Sequence, residues 1–438
     1  MALNIVIIGG GAGGLELATT LGRKHAKDAD THITLVDRAH SHLWKPLLHE
    51  VAAGTLNSND DELSYLAQAF WSSFHFELGA LLGLDRTNKR VTIAPSTDAA
   101  GNEYMPQRTL PYDLLIIAIG SVTNDFGITG VAENCFYLDA REQADTFHQH
   151  LVRACYAANT QSTPIARGQL DIAIAGGGAT GVELAAELHH AVHMLVGFGL
   201  DNINVAEDIR IHLVEASDRV LPGLPPKVAE STRLILEELG IVVHTGRMIT
   251  AATPSAFLTD SGDSIAAQTK VWAAGIMGAP VLASLDGLEC NRANQLMVRP
   301  TLQTLNDDAI FALGDCAACA LPGGKHNVPP RAQAAHQQAT HMARSVAHWQ
   351  LGKPLADYVY KDFGSLVNLS QRSAIGNLMG RFLNRRRANF PIEGRLARWA
   401  YLSLYKMHQV AVSGVVRTIL MTCANMLTRA SKPRLKLH

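Results

Sequence analysis

Cysteine is scarce in this 438-residue sequence, and its six cysteines form no disulfide framework. Only one CxxC pair occurs, at Cys316 and Cys319. A single pair without a second is poor evidence for a structural zinc site, and the sparse spacing does not fit a disulfide-stapled secreted domain. A reducing compartment is therefore expected. His189, His190 and His193 share a helix, and His189 and His193 are four residues apart, but no carboxylate or cysteine is expected to complete a ligand set, so no metal site is expected.

From the residues at its two ends, the sequence is expected to have no leader and no membrane-spanning run. The opening letters MALN, with no basic segment or cleavage site, lead directly into the apolar run IVII, so a cytosolic protein is expected. Near the C-terminus, the uncharged stretches between Lys406, Arg417 and Arg429 have 10 and 11 residues. A spanning helix needs ~20. The length and ordinary globular composition predict two or three domains.

Acidic residues are almost absent from the end of the chain. From Phe363 to His438 there are 13 Lys and Arg residues but one acid, Glu393, whereas the whole chain has 38 basic and 39 acidic side chains. The tail is therefore near +12 and the remainder near −13. This asymmetry predicts that the tail contacts an anionic surface. Lipid is favoured over nucleic acid, because no nucleic-acid recognition motif is present.

The tail pattern predicts how such a contact forms. Arg395, Lys406 and Arg417 recur every 11 residues, which keeps them on one face of a continuous helix. Much of the remaining surface is apolar: Leu402, Leu404, Val410, Val412, Val415, Val416, Ile419 and Leu420. The pattern is typical of a basic amphipathic helix lying in a membrane interface, although a core-facing helix is the ordinary alternative. RFLNRRRANF (381–390) and SKPRLKLH (431–438) would add cations.

One ten-residue stretch is present twice. GGGAGGLELA (9–18) and GGGATGVELA (176–185) are identical at eight positions, and each follows an apolar run and precedes a helical pattern. This context predicts two strand–turn–helix units that bind dinucleotides. The glycines are Gly9, Gly11 and Gly14 in the first copy, and Gly176, Gly178 and Gly181 in the second. In order, they allow the tight turn, the approach of backbone to a pyrophosphate and close helix–strand packing. The helix beginning near Ala12 would offer free N–H groups to the phosphates.

An acidic residue follows each copy at the end of the next strand. Asp37 ends HITLVD, and Glu215 lies near the end of IRIHLVEA. Such a carboxylate binds a ribose hydroxyl and repels a 2′-phosphate, so Glu215 favours NADH over NADPH, while Arg219 acts in the opposite sense. The longer gap in the second copy predicts a loop at about 193–208. Two sites in one chain predict FAD and NADH, with hydride passing between them.

A late segment, TLQTLNDDAIFALGDC (301–316), predicts a strand at Ala309–Leu313 that ends at Gly314 and Asp315. It resembles the second flavin motif of two-dinucleotide-domain flavoproteins, in which the aspartate binds the ribityl chain of FAD and the NADH domain is inserted into a split FAD domain. The resemblance implies that the first copy binds FAD and the second NADH. Crossovers between the domains are expected at Gly120 and Gly275.

The implied architecture is α/β, with two Rossmann-like dinucleotide-binding domains and a C-terminal helical region that associates with a membrane. The expected parts are residues 1–125 and 291–345 for the split FAD domain, 165–290 for the inserted NADH domain, and 346–438 for the C-terminal region.

Five motifs in order make the resemblance more specific: HLWKPLLHEVAAG (42–54), GGGATGVELAAEL (176–188), VWAAGI (271–276), GDCAAC (314–319) and AQAAHQ (332–337). Together they resemble the type II NADH dehydrogenases over nearly the whole chain, and RLKLH (434–438) resembles the bacterial members. The resemblance implies a single-subunit, non-proton-pumping NADH:quinone oxidoreductase with non-covalent FAD. It also implies a respiratory enzyme that is peripheral on the cytoplasmic face of the bacterial inner membrane and reduces a membrane quinone.

The resemblance assigns roles by position. Gln333 and Gln337 lie on the quinone-site motif, with Gln333 also close to FAD. Glu183 falls on the acid that meets the nicotinamide and ribose side of NADH, and Lys45 falls on the loop that covers the flavin. From the residues alone, Gln333 and Gln337 share a helix face and donate to a carbonyl, or form an ordinary polar face. An acid such as Glu183 is also favoured in a first helical turn by the dipole alone.

Two alternatives remain open at this point. One is a soluble NAD(P)H-dependent reductase that uses Cys316 and Cys319 on a thiol or disulfide substrate. The other is a redox-sensing protein that binds both dinucleotides without turnover. The sequence does not decide which quinone is used, whether the chain forms a homodimer, or whether Glu183, His336 or water protonates the quinone.

Overall fold

The computed structural model describes residues 2–58, 62–98, 100–324, 326–369, 374–379, 389–428 and 435–436. The α-helices in these ranges are Ala12–His25, Leu48–Ala53, Tyr65–Ser72, Val131–Asn134, Arg141–Thr160, Ala179–Gly197, Val205–Asp208, Pro226–Glu238, Ala332–Gln350, Arg395–Ser413 and Val415–Thr428. Short 3₁₀ helices are Lys45–Leu47, Pro280–Ser284 and Gly314–Cys316. The cations at 381–388 lie outside the described residues, and so do the residues at 431–434.

The largest sheet has eight strands and draws them from two separate stretches of the chain. Its order is Ala317–Cys319, Leu296–Val298, Gln303–Thr304, Asp307–Ala312, Leu114–Ile117, Leu3–Ile8, Thr31–Asp37 and His75–Leu78. The central strands pair in parallel, and Leu114–Ile117 lies between Leu3–Ile8 and the late strand Asp307–Ala312. Residues 5–8, 114–117 and 310–312 of these strands are wholly apolar and buried, as expected for a parallel sheet covered on both faces.

A second parallel sheet is built around the second glycine turn. Its order is Val242–Thr245, Ile211–Glu215, Ile172–Ala175 and Thr269–Trp272. Two antiparallel crossover strands, Ser121–Thr123 and Ile276–Gly278, pair between the two sheets and follow Gly120 and Gly275. The predicted α/β fold with two Rossmann-like units is therefore confirmed, while the residue boundaries of the domains stay predictions.

The other strands form small sheets and hairpins around these two sheets. They are Ser41–His42, Leu63–Ser64, Leu81–Asp85, Arg90–Ile93, Ser96–Thr97, Glu103–Met105, Arg108–Pro111, Ile249–Ala252, Ala256–Thr259, Ser264–Ala266, Gly364–Asn368, Ala374–Met379 and Asn389–Gly394. The last three make one antiparallel sheet near the C-terminal helices.

The loop predicted at about 193–208 is partly helical. The helix that begins at Ala179 continues to Gly197, and Val205–Asp208 adds a further turn. The reason is burial, because Val192 and Leu195 continue the apolar face of this helix into the core.

The prediction of one continuous tail helix is wrong. The tail forms Arg395–Ser413 and Val415–Thr428, separated by Gly414 in the left-handed region at φ +81°. Two side chains of the FAD domain stabilise the break between these helices. Gln68 Nε2 and Arg23 Nη2 both donate to the Val412 carbonyl, at 2.8 and 2.7 Å. Arg417 therefore lies on a different helix from Arg395 and Lys406. Among the described residues, no helix is both long enough and apolar enough to cross a membrane.

Candidate dinucleotide and quinone site

The first glycine turn has the geometry of a phosphate site. Gly9 has φ +103°, and a Cβ there would lie 2.4 Å from the Ala118 carbonyl oxygen. A Cβ on Gly14 would lie 1.8 Å from the Gly9 oxygen, so both positions require glycine. Gly11 differs, since no protein atom lies within 4 Å of its Cβ position and no side chain caps the helix that begins at Ala12. Free N–H groups at this helix start face open space, as a bound pyrophosphate requires.

The second turn reproduces the first. Gly176 has φ +102°, and a Cβ on Gly181 would lie 1.9 Å from the Gly176 oxygen. Gly178 again has no atom within 4 Å of its Cβ position, and no side chain caps the helix that begins at Ala179. The chain therefore holds two sites that fit a dinucleotide.

The acidic residue after each turn also hydrogen-bonds to the backbone of that turn, a role that the sequence pattern did not predict. Asp37 accepts from the Gly10 N–H at 2.6 Å and from the Ala39 N–H at 2.8 Å. Burial raises the pKa of Asp37, although these hydrogen bonds oppose the shift.

Glu215 makes the equivalent bonds, to the N–H of Gly177 and of Ser217, both at 2.7 Å. Each carboxylate thus holds the backbone of the residue between the first two glycines of the motif, Gly10 or Gly177. Each carboxylate therefore lies beside its turn, where a ribose would approach. Arg219 donates to the Pro222 carbonyl at 3.3 Å.

The second flavin motif lies against the first crossover. Asp315 accepts from the Ser121 hydroxyl at 3.1 Å, and Lys45 donates to the Ser121 carbonyl at 2.9 Å. Lys45 also lies 3.5 Å from Asp139. Burial raises the pKa of Asp315, and the charge of Lys45 opposes that shift. The structure therefore brings Lys45, Asp315 and the residue after Gly120 together.

The helix Ala332–Gln350 begins between the two FAD motifs. A Cβ on Gly13 would lie 3.2 Å from the Ala335 oxygen, and one on Gly314 would lie 3.7 Å from the Ala335 Cβ. Gln338, a residue that sequence reasoning missed, is buried and accepts from the Gly314 N–H at 2.7 Å. The spacing of glutamines that identified Gln333 could not identify Gln338, because the hydrogen-bond partner of Gln338, Gly314, lies 24 positions earlier in the chain.

The two glutamines of the quinone motif differ in their contacts. Gln337 makes a two-way pair with the Lys361 backbone, donating to its carbonyl at 2.8 Å and accepting from its N–H at 2.9 Å. Gln333 accepts from the Tyr360 hydroxyl at 3.2 Å, and its Nε2 has no hydrogen-bond partner among the described residues. Gln333 is therefore the amide with both donor hydrogens free.

Glu183 lies at the junction of three segments. It belongs to the helix of the second glycine turn, and it accepts from the Asn368 N–H at 2.9 Å in the strand Gly364–Asn368. His49 Nδ1, from the helix Leu48–Ala53, lies 3.6 Å from its other oxygen. Burial raises the pKa of Glu183 to about 8, with Glu50 and Glu187 adding to the shift, while burial lowers the pKa of His49 to about 4. This shift favours the protonated, neutral form of Glu183, against the opposing effect of the Asn368 hydrogen bond.

The sequence of the chain is similar to those of known proteins. A sequence profile of the pyridine nucleotide-disulphide oxidoreductases matches residues 3–339. The type II NADH:quinone oxidoreductase of Haemophilus influenzae is 44% identical, over 99% of this chain and 100% of that protein. The chain belongs to the type II NADH:quinone oxidoreductases. The corresponding protein of Staphylococcus saprophyticus is 28% identical, over 88% of this chain and 92% of its own.

Solved structures share the fold of this chain. NDH2 from Plasmodium falciparum in complex with NADH superposes with a TM-score of 0.83 at 17% identity, covering 100% of both chains. The sulfide:quinone oxidoreductase of Aquifex aeolicus gives 0.69 at 20% identity, over 94% of this chain and 92% of that one. At such identities the likeness concerns the fold alone.

The cysteine pair does not have the surroundings of a reactive dithiol. Cys316 and Cys319 are both buried and both free. Cys316 donates to the Leu313 carbonyl at 3.2 Å. Burial raises the pKa of Cys316 to about 12 and that of Cys319 to about 11, so neither forms the thiolate that thiol chemistry needs. The pair packs in the hydrophobic core around the eight-stranded sheet.

Proposed function

We propose that the chain oxidises NADH at the turn containing Gly178 and reduces a membrane quinone beside Gln333. FAD, bound non-covalently at the turn containing Gly11, supplies the hydride acceptor and the two-electron donor. The proposal rests on the two glycine turns, because the helix that follows each turn has no side-chain cap and the Cβ positions of Gly11 and Gly178 meet no other atom within 4 Å. Asp315 and the helix Ala332–Gln350 also lie close to the first turn.

Each side chain then has a distinct part. The helix starts after Gly11 and Gly178 would hold the pyrophosphates of FAD and NADH with backbone N–H groups. Asp315 and Lys45 would hold the ribityl and isoalloxazine side of FAD. Glu183, whose raised pKa favours the neutral acid, would meet the nicotinamide side of NADH without adding a negative charge beside the NADH phosphates.

The quinone contact is made by the free amide of Gln333. Its Nε2 donates to a quinone carbonyl without carrying charge into an apolar site. Gln337 acts on the Lys361 backbone instead, so it positions the segment that also carries Tyr360, the partner of Gln333.

Steady-state NADH oxidation with and without a soluble quinone tests this function. Gln333→Leu should raise the quinone KM about tenfold, the equivalent of one lost hydrogen bond. The rate at which NADH bleaches the bound FAD should not change. Gln350→Leu, at the exposed far end of the same helix, is the matched control. Loss of FAD bleaching in Gln333→Leu would contradict a role at the quinone.

The second tail helix presents an apolar surface that fits a lipid interface. Val415, Val416, Ile419 and Leu420 are all exposed, Val416 by 73%. The FAD-side helix Tyr65–Ser72 extends this surface with Leu66, Phe70 and Trp71, of which Phe70 is 84% exposed. These seven residues form what we call the apolar tail surface. The Arg417 guanidinium lies 3.5 Å from the centre of the Trp71 ring and joins the two helices.

We infer that this surface holds the chain in a peripheral position on an anionic membrane, and the family resemblance favours the cytoplasmic face of the inner membrane. Exposed aliphatic and aromatic side chains around a cation are the pattern of an interfacial helix. Lys436 has a different part, because its ammonium lies 3.1 Å from Asp145 and its N–H donates to the Gly54 carbonyl at 2.8 Å. Leu435, which is buried, and Lys436 are thus packed on the body.

A further inference from the structure

One half-buried ion pair at the helix Ala332–Gln350 has no role in the function proposed above. His336 lies inside AQAAHQ, one turn after Gln333. Its Nδ1 is 2.7 and 2.8 Å from the two carboxylate oxygens of Glu16, which is only 5% exposed. Glu16 follows Gly14 in the first glycine-turn helix. The pair therefore connects the helix Ala12–His25 to the helix Ala332–Gln350, which carries Gln333.

The carboxylate of Glu16 favours the charged imidazolium. Its hydrogen bond raises the pKa of His336 against the opposing effect of burial. From the tail helix, His408 also faces this region. Burial and the charges of His42 and His336 lower the pKa of His408 to about 3, so His408 stays neutral, with its Nε2 2.9 Å from His42 Nε2.

His336 has one nitrogen free for chemistry. Nδ1 is engaged by Glu16, and Nε2 has no hydrogen-bond partner among the described residues. The His336 side chain is 39% exposed, so water can restore a proton that leaves it. Glu183, by contrast, is buried and has both carboxylate oxygens in contact with Asn368 or His49.

We propose that His336, held as an imidazolium by Glu16, donates a proton to the quinone as it is reduced. The inference rests on the proposed function. The overall reaction takes NADH, one proton and a quinone to NAD⁺ and a quinol, so NADH supplies both electrons and one proton. In the step proposed, the Nε2–H bond of His336 breaks and an O–H bond forms on the quinone carbonyl oxygen. The neutral imidazole then regains a proton from water.

The test uses the full-length, FAD-loaded enzyme and separates electron transfer from proton transfer. NADH-reduced enzyme is mixed with a soluble quinone, or with ferricyanide, which accepts electrons without protons, and single-turnover rates are measured across pH. His336→Asn should slow reoxidation by quinone about 100-fold, the usual contribution of a general acid. Reoxidation by ferricyanide and reduction by NADH should be unchanged. His348→Asn, near the far end of the same helix, is the matched control.

The pH profile carries the distinctive readout. In the wild type, the quinone rate should fall as pH rises through the raised pKa of His336, because only the imidazolium donates. Glu16→Gln should move that fall to lower pH, and His336→Asn should abolish it. Equal loss with quinone and ferricyanide, an unchanged quinone rate, or a wild-type pH profile in His336→Asn would each overturn the proposal. If the wild type itself shows no reoxidation by quinone, the proposed function fails rather than this inference.

Discussion

Replacing Gly178 or Gly11, the second glycine of each motif, by alanine tests the two dinucleotide sites one at a time. Gly178 has φ −72°, which alanine adopts freely, and its Cβ would meet no protein atom within 4 Å. Gly178→Ala should therefore change stability by only about 0.4–1 kcal/mol, in the stabilising direction, because it reduces the freedom of the unfolded chain. The added methyl group fills the space where backbone would approach the pyrophosphate of NADH.

The expected effect on NADH is large. Loss of one hydrogen bond to a charged phosphate costs about 1.5–3 kcal/mol, or roughly 10- to 100-fold in the NADH KM. The FAD content of the purified protein should stay at one per chain.

Gly11→Ala, at φ −64° and with the same open space, should do the reverse and lower FAD content. Absorbance of bound FAD, NADH kinetics and thermal unfolding measure the three quantities. An unchanged NADH KM in Gly178→Ala would refute this reasoning, as would loss of FAD from that variant. Gly181→Ala serves as a positive control for a clash, because its Cβ would lie 1.9 Å from the Gly176 oxygen.

Three further outcomes are expected. The double change Cys316→Ala and Cys319→Ala should leave NADH:quinone turnover within about twofold, since both thiols are buried and protonated; loss of turnover with FAD retained would restore the thiol alternative. The rate of FAD reduction by NADH should fall as pH rises through about 8, where Glu183 ionises, and Glu183→Gln should remove that fall; an identical pH profile in both would contradict a role for the neutral acid. Val416→Glu with Leu420→Glu should weaken binding to anionic liposomes about tenfold while turnover with a soluble quinone is kept; unchanged sedimentation with liposomes would remove the apolar tail surface from the proposal.

The glycine turns could be predicted because their constraints are local. A strand, three glycines at fixed spacing and a helix occur within some 20 residues, and Gly14 and Gly181 are required by contacts inside their own turns. Asp37 and Glu215 were found for the same reason. What the pattern did not reveal is that both carboxylates also bond the backbone of their own turn.

Contacts between distant segments could not be predicted. Glu16 meets His336 across 320 positions, and Glu183 meets the Asn368 backbone across 185. No spacing rule links such residues, because their distance is set by the packing of whole helices and sheets. The tail was misread for a related reason: Arg23 and Gln68, far away in the chain, hold the Val412 carbonyl where the helix breaks at Gly414.

The most direct test of the central claim is the stoichiometry of NADH oxidation against quinol formation by the purified, FAD-loaded chain. NADH loss is followed by absorbance without oxygen, and quinol is quantified in the same sample. The account predicts one quinol for each NADH, with negligible NADH loss when the quinone is omitted. NADH oxidation that proceeds without quinol, or an enzyme whose FAD is bleached by NADH and not restored by quinone, would contradict it.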